Sequence, residues 1–277
     1  MSSSFKLTIA RELRPDELPS DEQVIVAARE VLEASKGWKK GKAYQKNTVR
    51  TYSKPKGPGD GASWHCRVSE HTAAEATFDE FWSKIGINHS ENEKEYIDVV
   101  KKATLIKKLS ATQEIWSSYY EFPSFGVSSR VFTVLQVTHY EPSSPRTGLF
   151  ISIPVDLTSE PDLAKLEETG VKGRYVSVES LTELPGGKTE WRMATSSSPG
   201  GRIPAFLVEN TMASTISADV PHFLKWFQAV RRATETKEVV PTVPTASDLN
   251  AIADIPPVNK PAVVGLGTAN AVEAPVA

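Results

Sequence analysis

The sequence predicts an α+β domain in which an antiparallel sheet is closed by a long C-terminal helix, and three observations predict it. From Glu114 onward the apolar residues change from helical spacing toward a period of 2. Turn chemistry then divides four strand-like segments, 130–140, 149–155, 171–183 and 188–195, at Pro142 to Gly148, at a polar insert over 158–169, and at Pro185-Gly-Gly187. After 196–201 the helical period returns and carries Phe206, Leu207, Val220, Phe223, Leu224, Phe227 and Val230 up to Arg232. Consecutive strands joined by such turns make a meander, and a helix this apolar must bury its face on that sheet.

Upstream, Val24, Ala27, Ala28, Val31 and Leu32 stand at i, i+3, i+4, i+7 and i+8, so 21–35 reads as an amphipathic helix behind a Ser20/Asp21 cap. Residues 36–56 contain eight Lys or Arg, no acid, and the aromatics Trp38, Tyr44 and Tyr52; followed by Pro58 and three glycines, the stretch reads as a basic flexible segment. Residues 63–69 form a short strand, and Phe78, Phe81, Trp82 and Ile85 fall on one face of a short helix. A longer helix is expected over 91–109, with Tyr96, Val99, Val100, Ala103, Ile106 and Leu109 on its apolar side and its lysines in water. Pro204 suits the first turn of the last helix, whereas Pro221 is expected to kink it or to mark a restart capped by Asp219. This divides the chain into an N-terminal helix with its basic segment (1–62), a core (63–233) and a tail (234–277).

The tail, from Lys237 on, has no Phe, Tyr or Trp and carries Pro at 241, 244, 256, 257, 261 and 275. It cannot bury enough apolar surface to offset its ordering entropy, so disorder is expected there. Without the tail's Lys237, Lys260, Glu238, Asp248, Asp254 and Glu273, the rest balances 30 basic against 30 acidic residues, which argues against a general nucleic-acid binder. No apolar run is long enough to span a membrane, the N-terminus lacks the layout of a signal peptide, and Cys66 stands alone, so the expected location is the cytoplasm.

Motifs that carry catalysis are missing from the sequence: no Gly-x-Ser-x-Gly, no Walker loop, no His-Glu-x-x-His. Gly265-Leu-Gly267 resembles half a dinucleotide fingerprint but has no strand before it. The five histidines share no i, i+2 or i, i+4 spacing, so neither a metal nor a cofactor is expected. What remains lies on the strands. Alternation places Trp191, Met193 and Thr195 on one face of their strand, and Tyr175, Ser177 and Glu179 on one face of the preceding strand. Turned inward, Trp191, Met193 and Tyr175 line the interior and Glu179 becomes a buried polar anchor with Arg130 as candidate partner; turned outward, Glu179 points into water.

Taken in order, Trp64-His-Cys-Arg67-Val-Ser, Asn88-His with Glu95-Tyr96, Glu114-Ile-Trp116-Ser-Ser-Tyr119-Tyr120, Arg130-Val-Phe132, Tyr175-Val-Ser-Val-Glu179, Glu190-Trp191 and Gly200-Gly201-Arg-Ile-Pro204-Ala-Phe206 resemble a fungal family of START-like domains of unknown function. The resemblance runs from about Trp64 to Arg231. It implies the helix-grip fold, a curved antiparallel sheet wrapped around the C-terminal helix, and a tunnel for an apolar small molecule such as a lipid or sterol. The ligand-lining set expected on this basis is Arg130, Phe132, Tyr175, Glu179, Trp191, Met193 and Phe206, with no catalytic residue among them. The leading expectation is binding, with transfer, of a hydrophobic ligand, and peripheral membrane contact through the stretch from Lys36 to Lys56 would give that segment a purpose. Two alternatives stand beside it: an enzyme using Glu179, Tyr175 and His65 for proton transfer in the same cavity, and a protein-interaction module with a filled interior.

Overall fold

The computed structural model describes residues 5–122, 127–203 and 205–239. The described residues up to Arg232 form one compact unit, which holds the sheet and most of the last helix. Its elements are α1 Asp21–Ser35, β1 Lys39–Lys40, β2 Val49–Lys54, β3 Trp64–His71, α2 Phe78–Ile85, α3 His89–Tyr96, β4 Val100–Lys108 and β5 Gln113–Phe122. They continue with β6 Val127–Glu141, β7 Thr147–Pro154, α4 Pro161–Ala164, β8 Val171–Lys172, β9 Arg174–Leu184, β10 Lys188–Ser198 and α5 Ala205–Val239.

Among the described residues the strands form one sheet in the order β1-β2-β3-β10-β9-β7-β6-β5-β4, antiparallel throughout that path, while β8 runs parallel to β6. The expected meander is therefore present, curved, with β3 beside its last strand and α5 across its inner face. The expected strand 171–183 is broken at Gly173, where a β-carbon would come within 2.3 Å of the Phe132 ring. Gly186 and Gly187 make the hairpin between β9 and β10 with φ of +78° and +70°, values that favour glycine.

Each face of the sheet has its own cover. On the outer face, Val24, Ala27 and Ala28 of α1 and the leading residues Leu7 and Ile9 pack on Cys66, Leu135, Ile151, Ile153, Val178 and Ala194. A capping box fixes the start of α1, with Ser20 and Gln23 reciprocally bonded. On the inner face, Phe78, Phe81 and Ile85 of α2 and Val220, Phe223 and Phe227 of α5 pack on Val49, Phe150, Leu181 and Trp191.

Three expectations fail here. The stretch 36–56 is not a flexible connector: Gly41 N donates to the Thr51 carbonyl at 2.8 Å, β1 and β2 form a hairpin, and β2 pairs with β3 because Val49 and Thr51 turn into the interior. The helix expected over 91–109 is instead α3 followed by β4. Register shifts between Val100 and Lys102 and between Leu105 and Lys107 break the strand's alternation, so its apolar residues imitate helical spacing. Finally, α5 runs unbroken through Pro221, and Asp219 is an interior residue of that helix rather than a cap. Pro204, the residues from 240 on and the Gly265 motif lie outside the described residues.

Candidate functional site

The inner face of the sheet is unusually polar for a surface buried under two helices. Each strand contributes by simple alternation: His65, Arg67, Ser69 and His71 from β3, Gln136 from β6, Ser152 from β7, Ser177 and Glu179 from β9, and Thr195 from β10 are all buried. Buried polar groups need partners. Glu179 has three neighbours: Trp191 Nε1 donates to its Oε2 at 2.8 Å, Arg67 Nη2 donates to the same oxygen at 3.5 Å, and His89 Nε2 stands 3.8 Å from Oε1. The Arg67 guanidinium lies over the Trp191 ring at 3.9 Å.

Arg130, the partner expected for Glu179, is engaged elsewhere. Its Nε donates to the Pro199 carbonyl at 2.9 Å and its Nη1 to the Ser128 carbonyl, so it ties β6 to the loop that leads into α5. The ion pair is supplied by Arg67, because β3 joins the sheet beside β10, and Arg67 and Glu179 flank Met193 from its two sides. Nothing in the sequence places β3 there, since that pairing closes a gap of more than a hundred residues.

The interior has two unlike halves. In one, Trp191 meets Phe81, Phe223 and His71 with ring centroids 5.6, 5.2 and 6.3 Å apart, and Phe223 stacks on Phe81 and Phe227; this half is solid. Trp191 is thus packed against the closing helix rather than facing free space. Away from this cluster stand Glu93 of α3, Tyr120 of β5, Phe132 of β6, Tyr175 of β9 and Asp219 of α5, while Tyr96 of α3 packs on the cluster against Phe223 and Trp226, 5.5 Å from each between centroids. Phe132 touches Tyr120 and Tyr175 at 5.2 and 5.6 Å between centroids. The titratable members are set deep in the protein and interact electrostatically with one another, yet none of them is fully buried by its neighbours. Met193, 8% exposed, is on the same inner face, between the halves. Phe206, at the start of α5, is 61% exposed and does not join this group.

Burial governs the protonation of the set. It pushes the Glu93 carboxyl up to about 8, helped by the nearby negative charges of Asp219 and Glu179. Asp219 rises to about 7 for the same reason, against the pull of Arg67 and with the push of Glu179. Tyr96, Tyr120 and Tyr175 are raised by burial and stay protonated. His89 is held below its ordinary value by burial, against the attraction of Glu179, and its Nδ1–H donates to the Ile85 carbonyl at 2.9 Å. Sequence reasoning missed Glu93 and Asp219 because it assigned one to a solvated helix and the other to a cap; Asp219 shares a helical face with Ile216, Val220 and Phe223, the one signal that would have found it.

On the outer face a groove of about 620 Å³ opens beside α1, lined in part by Arg29, Leu32, Ser180 and Arg192, on the opposite side of the sheet from these residues.

The arrangement can be compared with known proteins. Human StAR-related lipid transfer protein 5 superposes with a TM-score of 0.63 at 16% identity, covering 76% of this chain and 98% of its own. Human STARD10 gives 0.61 at 11% identity over 79% and 84%. A StAR-related lipid transfer protein fragment from Xanthomonas axonopodis gives 0.53 at 17% over 69% and 99%. At these identities the likeness shows the fold, which is the helix grip. No curated protein matches the chain. The model of a family described as a protein of unknown function, DUF3074, matches residues 64–227, more than half of the chain, and this START-like chain belongs to that family.

Proposed function

We infer that the chain binds a hydrophobic ligand, lipid or sterol-like, between the inner face of the sheet and α5, and carries it from one surface to another. The observation that supports this reading is the partial burial of the polar residues between the sheet, α3 and α5. Glu93, Tyr96, Tyr120, Tyr175 and Asp219 sit deep in the fold and still keep free surface, which in a close-packed protein means a hollow beside them. The aromatic half closes one end of that hollow, and Phe132, Tyr175 and Met193 form its wall on the sheet side. Trp191 and Glu179 belong to the packed wall behind it, Arg130 holds the loop before α5, and Phe206 stands at the start of that helix to meet an incoming chain. The fold shared with proteins named for lipid transfer supports the same conclusion.

Energetically no catalytic group is required. Burying apolar surface is worth roughly 25 cal/mol per Å², so a few hundred Å² of ligand suffices for a stable complex. The β1–β2 hairpin, with its lysines and no acid, then serves as a peripheral contact with anionic membranes during loading and release. The test of binding is native mass spectrometry of the full chain purified from its own cell type. An added apolar mass that leaves on denaturation is the expected result; a bare chain that also takes up no lipid from mixed vesicles overturns the reading.

A further inference from the structure

The groove on the outer face plays no part in the reading above. The outward residues of β9 run Val176, Val178, Ser180, Thr182 and Leu184. The first two are sealed in the outer core, and the last three lie in the floor of the open groove of about 620 Å³. Register sets two rows across that floor: Leu149, Ser180 and Arg192 in one, Thr147, Thr182 and Glu190 in the next. The C-terminal half of α1 and its cap make the wall with Arg29, Leu32, Glu33 and Lys36. Most charges here are already matched. Lys36 Nζ donates to Glu33 Oε2 at 2.6 Å; Arg192 donates from Nε to Glu190 Oε1 at 3.1 Å and from Nη1 to Ser35 Oγ at 3.2 Å, which ties the end of α1 to the sheet. Arg29 is exposed and has no ion pair among the described residues. The hydroxyls of Thr147, Ser180 and Thr182 make no hydrogen bond to a described residue, and Ser180 is set deep, only 7% exposed. A side chain this buried normally has its polar atom partnered.

We propose that this groove is a second ligand site, separate from the interior, for a small carboxylic acid with an apolar body. The groups left open, the Arg29 guanidinium and the three hydroxyls, can all donate hydrogen bonds, whereas both carboxylates are occupied by their cations. The fitting ligand is therefore an acceptor, and one unmatched cation calls for one negative charge. Leu32, Leu149 and Leu184 supply apolar contact beside these donors, so the rest of the ligand is a ring or a branched chain. The volume falls within the span of about 300–1,000 Å³ typical of small-molecule sites. A cationic ligand meets Arg29, Lys36 and Arg192. A second negative charge finds no free cation and is repelled by Glu33 and Glu190, so the site discriminates on both sides.

The test is backbone-amide NMR of the full chain, titrated with three probes of one shape: 2-naphthoate, its neutral amide 2-naphthamide, and the cation 2-naphthylmethylammonium. The expected result is that 2-naphthoate shifts the amides of Thr147, Ser180, Thr182 and Arg192 and binds about tenfold tighter than the amide, with the cation weakest. Arg29→Gln changes an exposed helix position and should bring acid and amide to equal affinity, while Arg29→Lys should keep most of the difference. Equal affinity of acid and amide for the wild type, a lead for the cation, or an acid preference that survives in Arg29→Gln overturns the proposal. So does the absence of shifts in these four amides at millimolar 2-naphthoate. Shifts confined to Tyr175, Met193 and Asp219 would put the acid in the interior, which supports the ligand-binding reading and removes the groove.

Discussion

Trp191 shows how much of the interior hangs on single side chains. Its ring packs among His71, Phe81 and Phe223, its indole N–H donates to Glu179, and the Arg67 cation rests on its face. Trp191→Ala should therefore cost about 3–5 kcal/mol, the usual price of deleting a large buried aromatic, measurable as a lower midpoint in urea denaturation. The Arg67–Glu179 pair gives a sharper prediction. Glu179→Leu removes the ion partner that the structure shows for Arg67, whose side chain is 1% exposed, and should cost about 3–5 kcal/mol. Adding Arg67→Met to Glu179→Leu should restore most of that loss, since two apolar groups need no counter-ion. Strictly additive losses in this cycle would mean that the pair is not coupled. Which residues share a face with Trp191 and with Glu179 was legible because alternation is a local signal, whereas the direction in which Glu179 turns was left open. Arg67 was not, because only the pairing of β3 with β10 brings it to Glu179.

At the scale of elements, the sequence was clear wherever a segment's own chemistry decides its structure. Capping residues and apolar spacing define α1 and α2, and glycines define the β9–β10 turn. It was opaque at β4 and β2, whose strand state comes from partners elsewhere in the chain. The helix pair α3–α5 leads to a further prediction. Glu93 and Asp219 face each other from these helices, with Glu179, Arg67, His89, Tyr96, Tyr120 and Tyr175 around them. Their folded-state values, about 8 and about 7, lie above the ordinary 4.5 and 3.8. In the unfolded chain both are ionised by neutral pH, so the folded form binds more protons and stability falls as pH rises toward the folded values. Between pH 7 and 8.5 the buried histidines, whose values are lowered, are neutral in the fold and largely neutral when unfolded, and do not contribute. The ligand-free protein should therefore lose melting temperature across that interval, with a slope of at most about 1.4 kcal/mol per pH unit for each group. Glu93→Gln with Asp219→Asn should flatten it. A wild-type melting temperature that is level or rises from pH 7 to 8.5 would show that the two carboxyls are not in a raised state.

Lysine-rich strands border the whole sheet at both ends: Lys39 and Lys40 on β1, and Lys101, Lys102, Lys107 and Lys108 on β4. Charged side chains on an edge discourage pairing with another chain, and this accounts for both rows without any membrane. The two ends differ, however, in their surroundings. On β4, Lys102 pairs with Glu168 and Lys108 with Glu114. On the β1–β2 hairpin Arg50 pairs with Glu70 and Lys54 with Asp60, but the stretch itself has no acid between Lys36 and Lys56, and its apex at Gln45, Lys46 and Asn47 is exposed in a left-handed turn. The aromatics of this stretch are not available for insertion into a bilayer: Trp38 packs toward Trp64 at 6.0 Å, and Tyr52 and Tyr44 lean on the outer and inner cores. A membrane contact made by this hairpin is consequently electrostatic, and it should be lost as salt shortens the Debye length to about 3 Å at 1 M. Each lysine near an anionic surface is worth about 1 kcal/mol, so replacing Lys39, Lys40, Lys42 and Lys46 by Gln should weaken binding roughly a thousandfold. Replacing Lys101, Lys102, Lys107 and Lys108 by Gln removes the same charge from the opposite edge and should change binding far less. Sedimentation with phosphatidylserine-containing and neutral vesicles measures both. Equal loss in the two variants would reduce the effect to net charge, and equal binding of the wild type to both vesicle types would leave the hairpin with edge protection as its role.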